Sequence, residues 1–436
     1  MKIKALVIAT NSSQLLIPLL GLTLLERVIL TARAAGIDEF IIVTGSQAEE
    51  LEEALGSGER YRVNIEFIVE RSQQKEHSFS LLAARKALGE KPFLLIMADV
   101  LFEARILQRV SSEWSGHGSL LCIDRNIREA SDFHRAMKVR LSGKEVLDIG
   151  SDLKEYQAIA CGIFLLSPSI FEVLGEAEQG GESTLSDEIQ RLVKQGLLRC
   201  CDMTGEFWCS LESSEQFKIA EKKLLRTLLN PNEGFISEKL DRKISLQITR
   251  YLSSTGITPN QCTFLSFLIG LCSAGLFAFG YPFFGGIMAQ IASIIDGVDG
   301  EIARLKFLQT KFGAYFDAIL DRYSDGFIVV GMTYYASTFM GSATVWVLGL
   351  LVMMGIPMSM LEKEKYQVLT GKPFLSKYHD GVLRFLPANR DGRLFMIMLG
   401  GVFDQVLLTL WVLMIATHLL ALLRLKRVRI LMGHEE

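Results

Sequence analysis

The feature that most constrains this chain is a stretch of 45 residues, from Tyr251 to Ile295, that contains no Asp, Glu, Lys or Arg. A helix needs about 20 residues to cross a hydrocarbon core of about 30 Å, so a run of this length holds two membrane spans. Gly280, Tyr281 and Pro282 predict the break between them. Residues 1–250, by contrast, carry charges throughout. The chain of 436 residues is therefore predicted to combine a soluble part with a multi-pass membrane part.

The composition excludes one class of partner and indicates a compartment. The formal net charge is −3, and no basic face of the kind that binds nucleic acid is evident. The seven cysteines show no metal-ligand spacing and leave one over after pairing, which favours buried free thiols in a reducing compartment. The short apolar start of the chain predicts a first strand rather than a signal peptide.

Charges between the apolar segments predict the membrane topology. We expect six spans, near residues 260–280, 282–304, 310–334, 341–360, 386–403 and 405–424. Lys and Arg are concentrated in residues 301–311, in 361–393 and in the tail, while the alternate loops have none. Because basic loops stay cytoplasmic, both termini and the N-terminal part are predicted to be cytoplasmic, with the protein in the cell membrane. Residues 235–252 predict an amphipathic helix lying in the headgroup plane, for which a plain linker helix is the alternative.

Two of the predicted spans carry carboxylates, which are costly in hydrocarbon unless they are paired or bound to a cation. Asp296 and Asp299 share one face of the second span, and Asp317 and Asp321 share one face of the third. If the two helices face each other, four like charges meet, and they need cations between them. Hard oxygen ligands select Mg²⁺, Mn²⁺ or Ca²⁺. Intramembrane carboxylates also mark ion paths, so an ion transporter is the alternative of another class.

Small and basic residues accompany the carboxylates. Gly300 and Gly313 would let a bulky ligand approach the helix backbones, although glycine in membrane helices also serves as a packing contact. Arg304 could hold a pyrophosphate oxygen or extend its side chain to the water boundary.

This pattern resembles the motif of the CDP-alcohol phosphotransferase (CDP-alcohol phosphatidyltransferase) family. All eight fixed positions of that motif are matched: Asp296, Asp299, Gly300, Ala303, Arg304, Gly313, Asp317 and Asp321. The resemblance covers about residues 233–430 and implies an all-α domain of six transmembrane helices, usually a homodimer, with two Mg²⁺ or Mn²⁺ ions. It implies a metal site made by Asp296, Asp299, Asp317 and Asp321, in which Asp321 is also the general base. It also implies that the donor's nucleotide is held by Asn260, Thr263, Gly300, Ala303, Arg304, Thr310 and Gly313.

The soluble part alternates strand-like and helix-like runs, which is typical of an α/β, Rossmann-type domain with a largely parallel sheet. Apolar strands are predicted at 3–9, 39–45, 63–70, 92–99 and 119–124. The pattern resembles a sugar-phosphate or inositol-phosphate cytidylyltransferase domain. Where that family has a glycine-rich loop followed by Arg and Lys, residues 9–18 contain no glycine and no basic residue. A second expected Asp, near Trp208, is also missing, while Asp99 remains. A phosphate cradle of this kind is poor, so the domain is predicted to be inactive.

These observations give three segments: a nucleotidyltransferase-like domain at 1–228, a linker with a juxtamembrane helix at 229–258, and a membrane domain at 259–430. The predicted function is metal-dependent transfer of a phospho-alcohol group from a CDP-alcohol to an acceptor hydroxyl, releasing CMP, in phospholipid or polyol-phosphodiester synthesis. The resemblance implies CDP-inositol or a donor like CDP-diacylglycerol, with an inositol phosphate as acceptor. A bifunctional enzyme that also makes its CDP-alcohol from CTP is the enzyme alternative.

Overall fold

The computed structural model of this protein describes residues 3–10, 14–45, 48–69, 81–127, 137–175, 185–211, 213–229, 240–341, 344–381, 386 and 388–432. The chain forms two compact units, residues 1–222 and 223–436. The first is an α/β unit, and in the described residues of the second all regular elements are helices.

The first unit is built on a nine-stranded sheet. Its strands are β1 (Lys4–Ala9), β4 (Glu39–Thr44), β5 (Asn64–Val69), β6 (Phe93–Met97), β8 (Ser119–Asp124), β9 (Lys138–Ser142), β10 (Glu145–Gly150), β11 (Ala158–Leu166) and β12 (Leu198–Asp202). Their order is β5-β4-β1-β6-β11-β8-β12-β10-β9. Short pairs complete the strands: β2 (Pro18–Leu19) with β3 (Leu22–Thr23), and β7 (Val100–Phe102) with β13 (Trp208–Ser210). All five predicted strands are present.

The expectation of a largely parallel sheet is wrong for half of it. Strands β5, β4, β1 and β6 are mutually parallel, as are β8 and β12. However, β11 runs antiparallel to both of its neighbours β6 and β8, and β9 and β10 form a hairpin. Only Gly143 and Lys144 connect β9 to β10, and so short a connection permits only antiparallel pairing.

The helices that accompany these strands in the described residues are α1 (Leu24–Ala34), α2 (Ala48–Leu55), α3 (Leu81–Leu88), α4 (Ala104–Glu113), α5 (Ile170–Gly175), α6 (Leu185–Lys194) and α7 (Ser214–Thr227). Helix α1 begins at a capping box, in which Thr23 and Glu26 each satisfy the other's backbone N–H. The core joins apolar side chains of the strands to those of α3, α5 and α6, as in the stacked rings of Phe93 and Phe171, 5.8 Å apart.

The second unit consists of helices. They are α8 (Arg242–Ser253), α9 (Pro259–Ala278), α10 (Pro282–Leu305), α11 (Lys311–Met340), α12 (Val345–Thr370), α13 (Ser376–His379), α14 (Arg390–Val402) and α15 (Val406–Met432). Thr258 caps α9 with Gln261 in a second capping box, and Pro259 occupies the first helical turn, where its missing N–H is tolerated. The side chain of Thr310 caps α11 by accepting a hydrogen bond from the backbone of Gly313.

Each of the six predicted spans corresponds to a helix. Helix α12 continues ten residues beyond the predicted end at Met360, so part of the basic 361–393 segment is helical rather than loop. Among the described residues, three helices are long and apolar enough to cross a membrane: Pro259–Ala278, Val345–Thr370 and Val406–Ile430. The second unit therefore associates with a membrane.

Glycine and small hydroxyl residues bring these helices close together. A Cβ atom on Gly331 would lie 2.3 Å from the carbonyl oxygen of Ala274, so only glycine allows α11 to approach α9 this closely. The same is true where α10 meets α14, because a Cβ on Gly286 would lie 2.8 Å from the carbonyl oxygen of Met398. Helix α9 packs on both α10 and α11, while α14 packs on α10. Helix α10, which carries Asp296 and Asp299, is therefore packed against α9 and against α14.

Candidate active site

Three carboxylates converge where α10 approaches α11. Asp296 and Asp299 come from α10 and Asp317 from α11, and one oxygen of each lies within 4.8 Å of the others. Asp299 is buried, and the other two are partly buried. The convergence follows from the predicted spacing, since Asp296 and Asp299 are one turn apart on their helix.

The donor set fits a divalent cation. Within the described part of the chain, Oδ1 of Asp296 and Oδ1 of Asp317 are buried and have no hydrogen-bond partner. Buried polar atoms are nearly always satisfied, so unpaired carboxylate oxygens in this cluster are compatible with a positively charged ligand. Carboxylate oxygens are the ligands that Mg²⁺ and Mn²⁺ prefer.

Asp299 is oriented by the first membrane helix. The buried hydroxyl of Thr263 on α9 donates a hydrogen bond to Oδ2 of Asp299. The same hydroxyl lies 3.2 Å from the carbonyl oxygen of Pro259. Thr263 therefore acts on a carboxylate of the cluster, a contact that the family resemblance did not supply.

Asp321, the fourth predicted carboxylate, lies one turn beyond Asp317 and is held by an arginine. Nη2 of Arg390, at the start of α14, is 2.8 Å from Oδ1 of Asp321, and Nη1 of the same side chain pairs with Asp296. Arg390 also lies 3.6 Å from Asp325. One guanidinium thus bridges the carboxylates of α10 and α11.

Asp325 is the most deeply buried carboxylate of this arrangement. Its side chain is 3% exposed and bonds to Arg393 at 2.7 Å, with Arg322 at 3.7 Å. Three arginines around one carboxylate make a rigid charged network. In the sequence, Arg390 and Arg393 belong to the basic segment 361–393, whose charges were interpreted as topological. Their role in the carboxylate network was missed because they are remote in sequence from the aspartates.

The remaining predicted residues line the ends of α9, α10 and α11. A Cβ on Gly313 would lie 2.9 Å from Oγ1 of Thr310 and 3.3 Å from Oδ1 of Asn260, so these three residues are close neighbours. Arg304 folds back over Gly300, where an added Cβ would lie 3.2 Å from Nη1 of the arginine. The carbonyl of Ala303 accepts the backbone N–H of Leu308 and ends α10. All eight motif positions therefore lie near one end of α10 and α11.

An apolar groove of about 460 Å³ adjoins this end of the helices. It runs between α9 and α11 and is lined by Asn260, Gln261, Phe264, Leu265, Leu268, Phe312 and Phe316. Asn260 thus borders both the groove and Gly313.

In the first unit, the predicted nucleotide loop is described only in part, since Asn11, Ser12 and Ser13 lie outside the described residues, as does Glu212. The backbone carbonyl of Asp99 accepts the N–H of Leu211, which follows β13. The indole of Trp208 donates to Oδ2 of Asp124 at 2.8 Å in a buried contact.

Comparison with known proteins gives matches to both units. The model of the family described as CDP-alcohol phosphatidyltransferase matches residues 256–422, and that of the MobA-like NTP transferase domain matches residues 10–191. A protein of Aquifex aeolicus, named bifunctional IPC transferase and DIPP synthase, is 32% identical over 94% of this chain and 91% of its own length. An archaetidylinositol phosphate synthase of Pyrococcus horikoshii is 29% identical over 37% of this chain and 77% of its own. The inositol-1-phosphate CTP transferase structure from T. maritima superposes with a TM-score of 0.44 and 15% identity, over 59% of this chain and 98% of that one.

Proposed function

The chain belongs to the CDP-alcohol phosphatidyltransferase family, among the relatives named bifunctional IPC transferase and DIPP synthase, and we propose from this that it joins two inositol units through a phosphodiester. It is a CDP-alcohol phosphotransferase associated with a membrane. In the proposed reaction, the phospho-inositol group of CDP-inositol passes to a hydroxyl of an inositol phosphate, and CMP leaves. The Pyrococcus horikoshii relative is named archaetidylinositol phosphate synthase, which supports a product that contains inositol and phosphate.

The observation that carries the proposal is the convergence of three carboxylates with two orphaned oxygens at the ends of two helices. Asp296, Asp299 and Asp317 would hold one or two divalent cations, Mg²⁺ or Mn²⁺. Bound there, such cations neutralise the charge that develops on the pyrophosphate as CMP departs.

Asp321 performs the proton transfer in this proposal. It lies one helical turn beyond Asp317, and its Oδ1 is held 2.8 Å from Arg390. The acceptor O–H gives its proton to Asp321, and the oxygen forms a bond to the phosphorus that carries inositol. The bond from that phosphorus to the bridging oxygen breaks, and its electron pair leaves with CMP. Arg390 keeps the base oriented and reduces the repulsion between Asp321 and Asp296.

Asn260, Thr310, Gly313, Gly300, Ala303 and Arg304 are proposed to surround the cytidine and its phosphates. Their support is that they lie at the same end of the helices as the carboxylates, with Gly313 within reach of Asn260 and Thr310. Thr263 has a different role here, since its hydroxyl orients Asp299.

The proposed topology has six spans with both termini in the cytoplasm. The alternation of basic and uncharged loops supports it, as do six helices that match the predicted spans. Helices α10 and α11 carry the charged residues of the site, and α14 has 13 residues, so these three are less apolar or shorter than the three candidate membrane helices. A homodimer is proposed from the family resemblance.

A second candidate function is synthesis of the CDP-alcohol from CTP by the first unit. The full-length similarity to a relative named bifunctional and the match to the MobA-like NTP transferase domain favour it. The absence of glycine and of basic residues from residues 9–18 opposes it, and on this ground we propose that the first unit is inactive.

A lipid-linked donor is the other possibility for the membrane unit. The apolar groove between α9 and α11 would accept an acyl chain, which favours a donor such as CDP-diacylglycerol.

The test is CMP release by the purified full-length protein. CDP-inositol and CDP-diacylglycerol are supplied in turn, with an inositol phosphate and Mg²⁺ or Mn²⁺, and a further reaction contains CTP and the inositol phosphate. We expect metal-dependent CMP release from CDP-inositol, its loss in Asp317→Asn, and no pyrophosphate from CTP. Asp404→Asn is the matched control, because Asp404 bonds Tyr335 near the opposite end of α11. Release from CDP-diacylglycerol alone would refute the inositol donor, and equal release by wild type and Asp317→Asn would refute the site.

A further inference from the structure

Helix α8 presents a row of polar side chains, beside the apolar Ile248 and Leu252, to α10, the helix that carries Asp296 and Asp299. Ser245, Thr249 and Ser253 are fully buried and share one face of α8. Of the apolar residues of this helix, Ile248 and Leu252 are partly buried, whereas Ile244 is 44% exposed. A buried hydroxyl face is unusual for an amphipathic helix and requires an acceptor on the partner.

That acceptor is Glu301 on α10, whose side chain is fully buried. Its Oε1 accepts from Nη1 of Arg242 at 2.6 Å and from Oγ of Ser245 at 2.6 Å. Its Oε2 accepts from Oγ1 of Thr249 at 2.5 Å. Three donors from one helix therefore converge on one carboxylate of another.

The backbone of α10 is held at the same place. Nη1 of Arg242 also donates to the carbonyl of Gly297 at 3.0 Å, one residue after the cluster ligand Asp296. A Cβ at Gly297 would lie 2.8 Å from that nitrogen, so glycine gives the arginine its access. A second contact lies further back on α10, where Asp241 accepts from Gln290 at 2.6 Å and from Ser293 at 3.1 Å.

The geometry of a helix relates these contacts to the carboxylate cluster. Residues advance by about 100°, so Glu301 lies about 200° around the axis from Asp299 and about 140° from Asp296. The hydrogen bonds from α8 therefore reach α10 on the side of that helix that faces away from the carboxylate cluster. A carboxylate oxygen lies roughly 6 Å from the helix axis, so a rotation of roughly 10° moves it by about 1 Å. A displacement of that size lowers rates by about 100-fold in positioned active sites.

We propose that Glu301, gripped by Arg242, Ser245 and Thr249, is a positioning residue that fixes the rotation of α10 and so directs Asp296 and Asp299 toward their divalent cation. The inference rests on the proposed metal site and concerns residues outside the matched motif. Glu301 has no contact with substrate in this role. It acts only through the direction of the two carboxylates.

The experiment uses the purified full-length protein and two readouts. Binding of Mn²⁺ alone is followed by electron paramagnetic resonance of the free ion, and CMP release gives kcat and the KM for the donor. The variants are Glu301→Gln, Thr249→Val and Thr249→Ser, with Lys243→Ala as the control, because Lys243 is exposed on the same helix. Thermal unfolding is recorded for each.

We expect Glu301→Gln and Thr249→Val to weaken Mn²⁺ binding by about tenfold and to lower kcat by about 10- to 100-fold, while KM for the donor is unchanged. Thr249→Ser keeps the hydroxyl and should behave as wild type, as should Lys243→Ala. If Glu301→Gln does not fold, the Val and Ser variants of Thr249 decide the outcome. Wild-type Mn²⁺ affinity and kcat in Thr249→Val would overturn the inference, as would equal losses in the Val and Ser variants. If wild type releases no CMP from any donor, the proposed function fails, whereas the Mn²⁺ affinities still decide the positioning role.

Discussion

The hydrogen bond from Thr263 to Asp299 gives a quantitative prediction. Thr263 is 4% exposed and Asp299 is 8% exposed, so water cannot replace the hydroxyl when it is removed. Thr263→Val keeps the shape of the side chain and deletes only the donor. A hydrogen bond to a charged group contributes about 1.5–3 kcal/mol. A change of about 1.4 kcal/mol in binding free energy changes the affinity about tenfold. We therefore expect Mn²⁺ affinity to fall by roughly 10- to 100-fold.

The assay is a Mn²⁺ titration of the full-length protein without substrate, followed by CMP release at saturating donor. Thr263→Ser retains the hydroxyl and is the matched control, expected to bind Mn²⁺ within about twofold of wild type. If Thr263→Val instead kept wild-type Mn²⁺ affinity and raised only the KM for the donor, Thr263 would contact the nucleotide and the assigned role would be refuted.

Three further predictions concern charge, packing and thiols. Arg390→Ala leaves Asp321 without its closest cation, and breaking a buried pair costs about 3–5 kcal/mol, so we expect a lower melting temperature and a lower kcat, partly recovered in Arg390→Lys. Gly286→Ala should destabilise the membrane unit by about 1–3 kcal/mol, measured by thermal unfolding, whereas Gly275→Ala, which meets nothing within 4 Å, should not. Cys272 is exposed and the other six cysteines are buried, and burial raises the pKa of Cys201 to about 12. At pH 8 a thiol reagent should therefore modify at most one cysteine of the native protein and all seven after denaturation. Rapid reaction of several native thiols would contradict this packing.

The sequence was most informative where the chemistry is local. Asp296 and Asp299 are one turn apart, as are Asp317 and Asp321, so helical geometry alone placed each pair on one face. An uncharged run of 45 residues predicted two long apolar helices, and each of the six predicted spans is a helix in the structure. The strands of the first unit were predictable for the same reason, since each is a short apolar run bounded by polar residues.

Contacts between distant segments could not be predicted. Arg390 reaches Asp321 only because α14 packs on α10, and nothing in its own neighbourhood distinguishes it from a topological charge. The buried hydroxyls of α8 were not predicted, because hydrophobic patterning detects only the apolar residues Ile248 and Leu252 that pack beside them. A fully buried Glu301 becomes reasonable only once Arg242, Ser245 and Thr249 are known to surround it.

The strand order of the sheet in the first unit also depends on contacts between distant segments. The parallel half of the sheet was predicted from alternating strand and helix signals, but the position of β11 between β6 and β8 depends on pairings across the chain. Strands β9, β10 and β12 are short and mixed in polarity, so their patterns gave no clear signal.

The central claim is that the carboxylates of α10 and α11 bind metal and transfer the phospho-alcohol group. Its most direct test compares wild type with Asp321→Asn in two measurements, Mn²⁺ binding and CMP release from CDP-inositol with an inositol phosphate. The account predicts that Asp321→Asn still binds Mn²⁺ at the three-carboxylate cluster and no longer releases CMP, because only the proton acceptor is lost. CMP release by Asp321→Asn at the wild-type rate would contradict it.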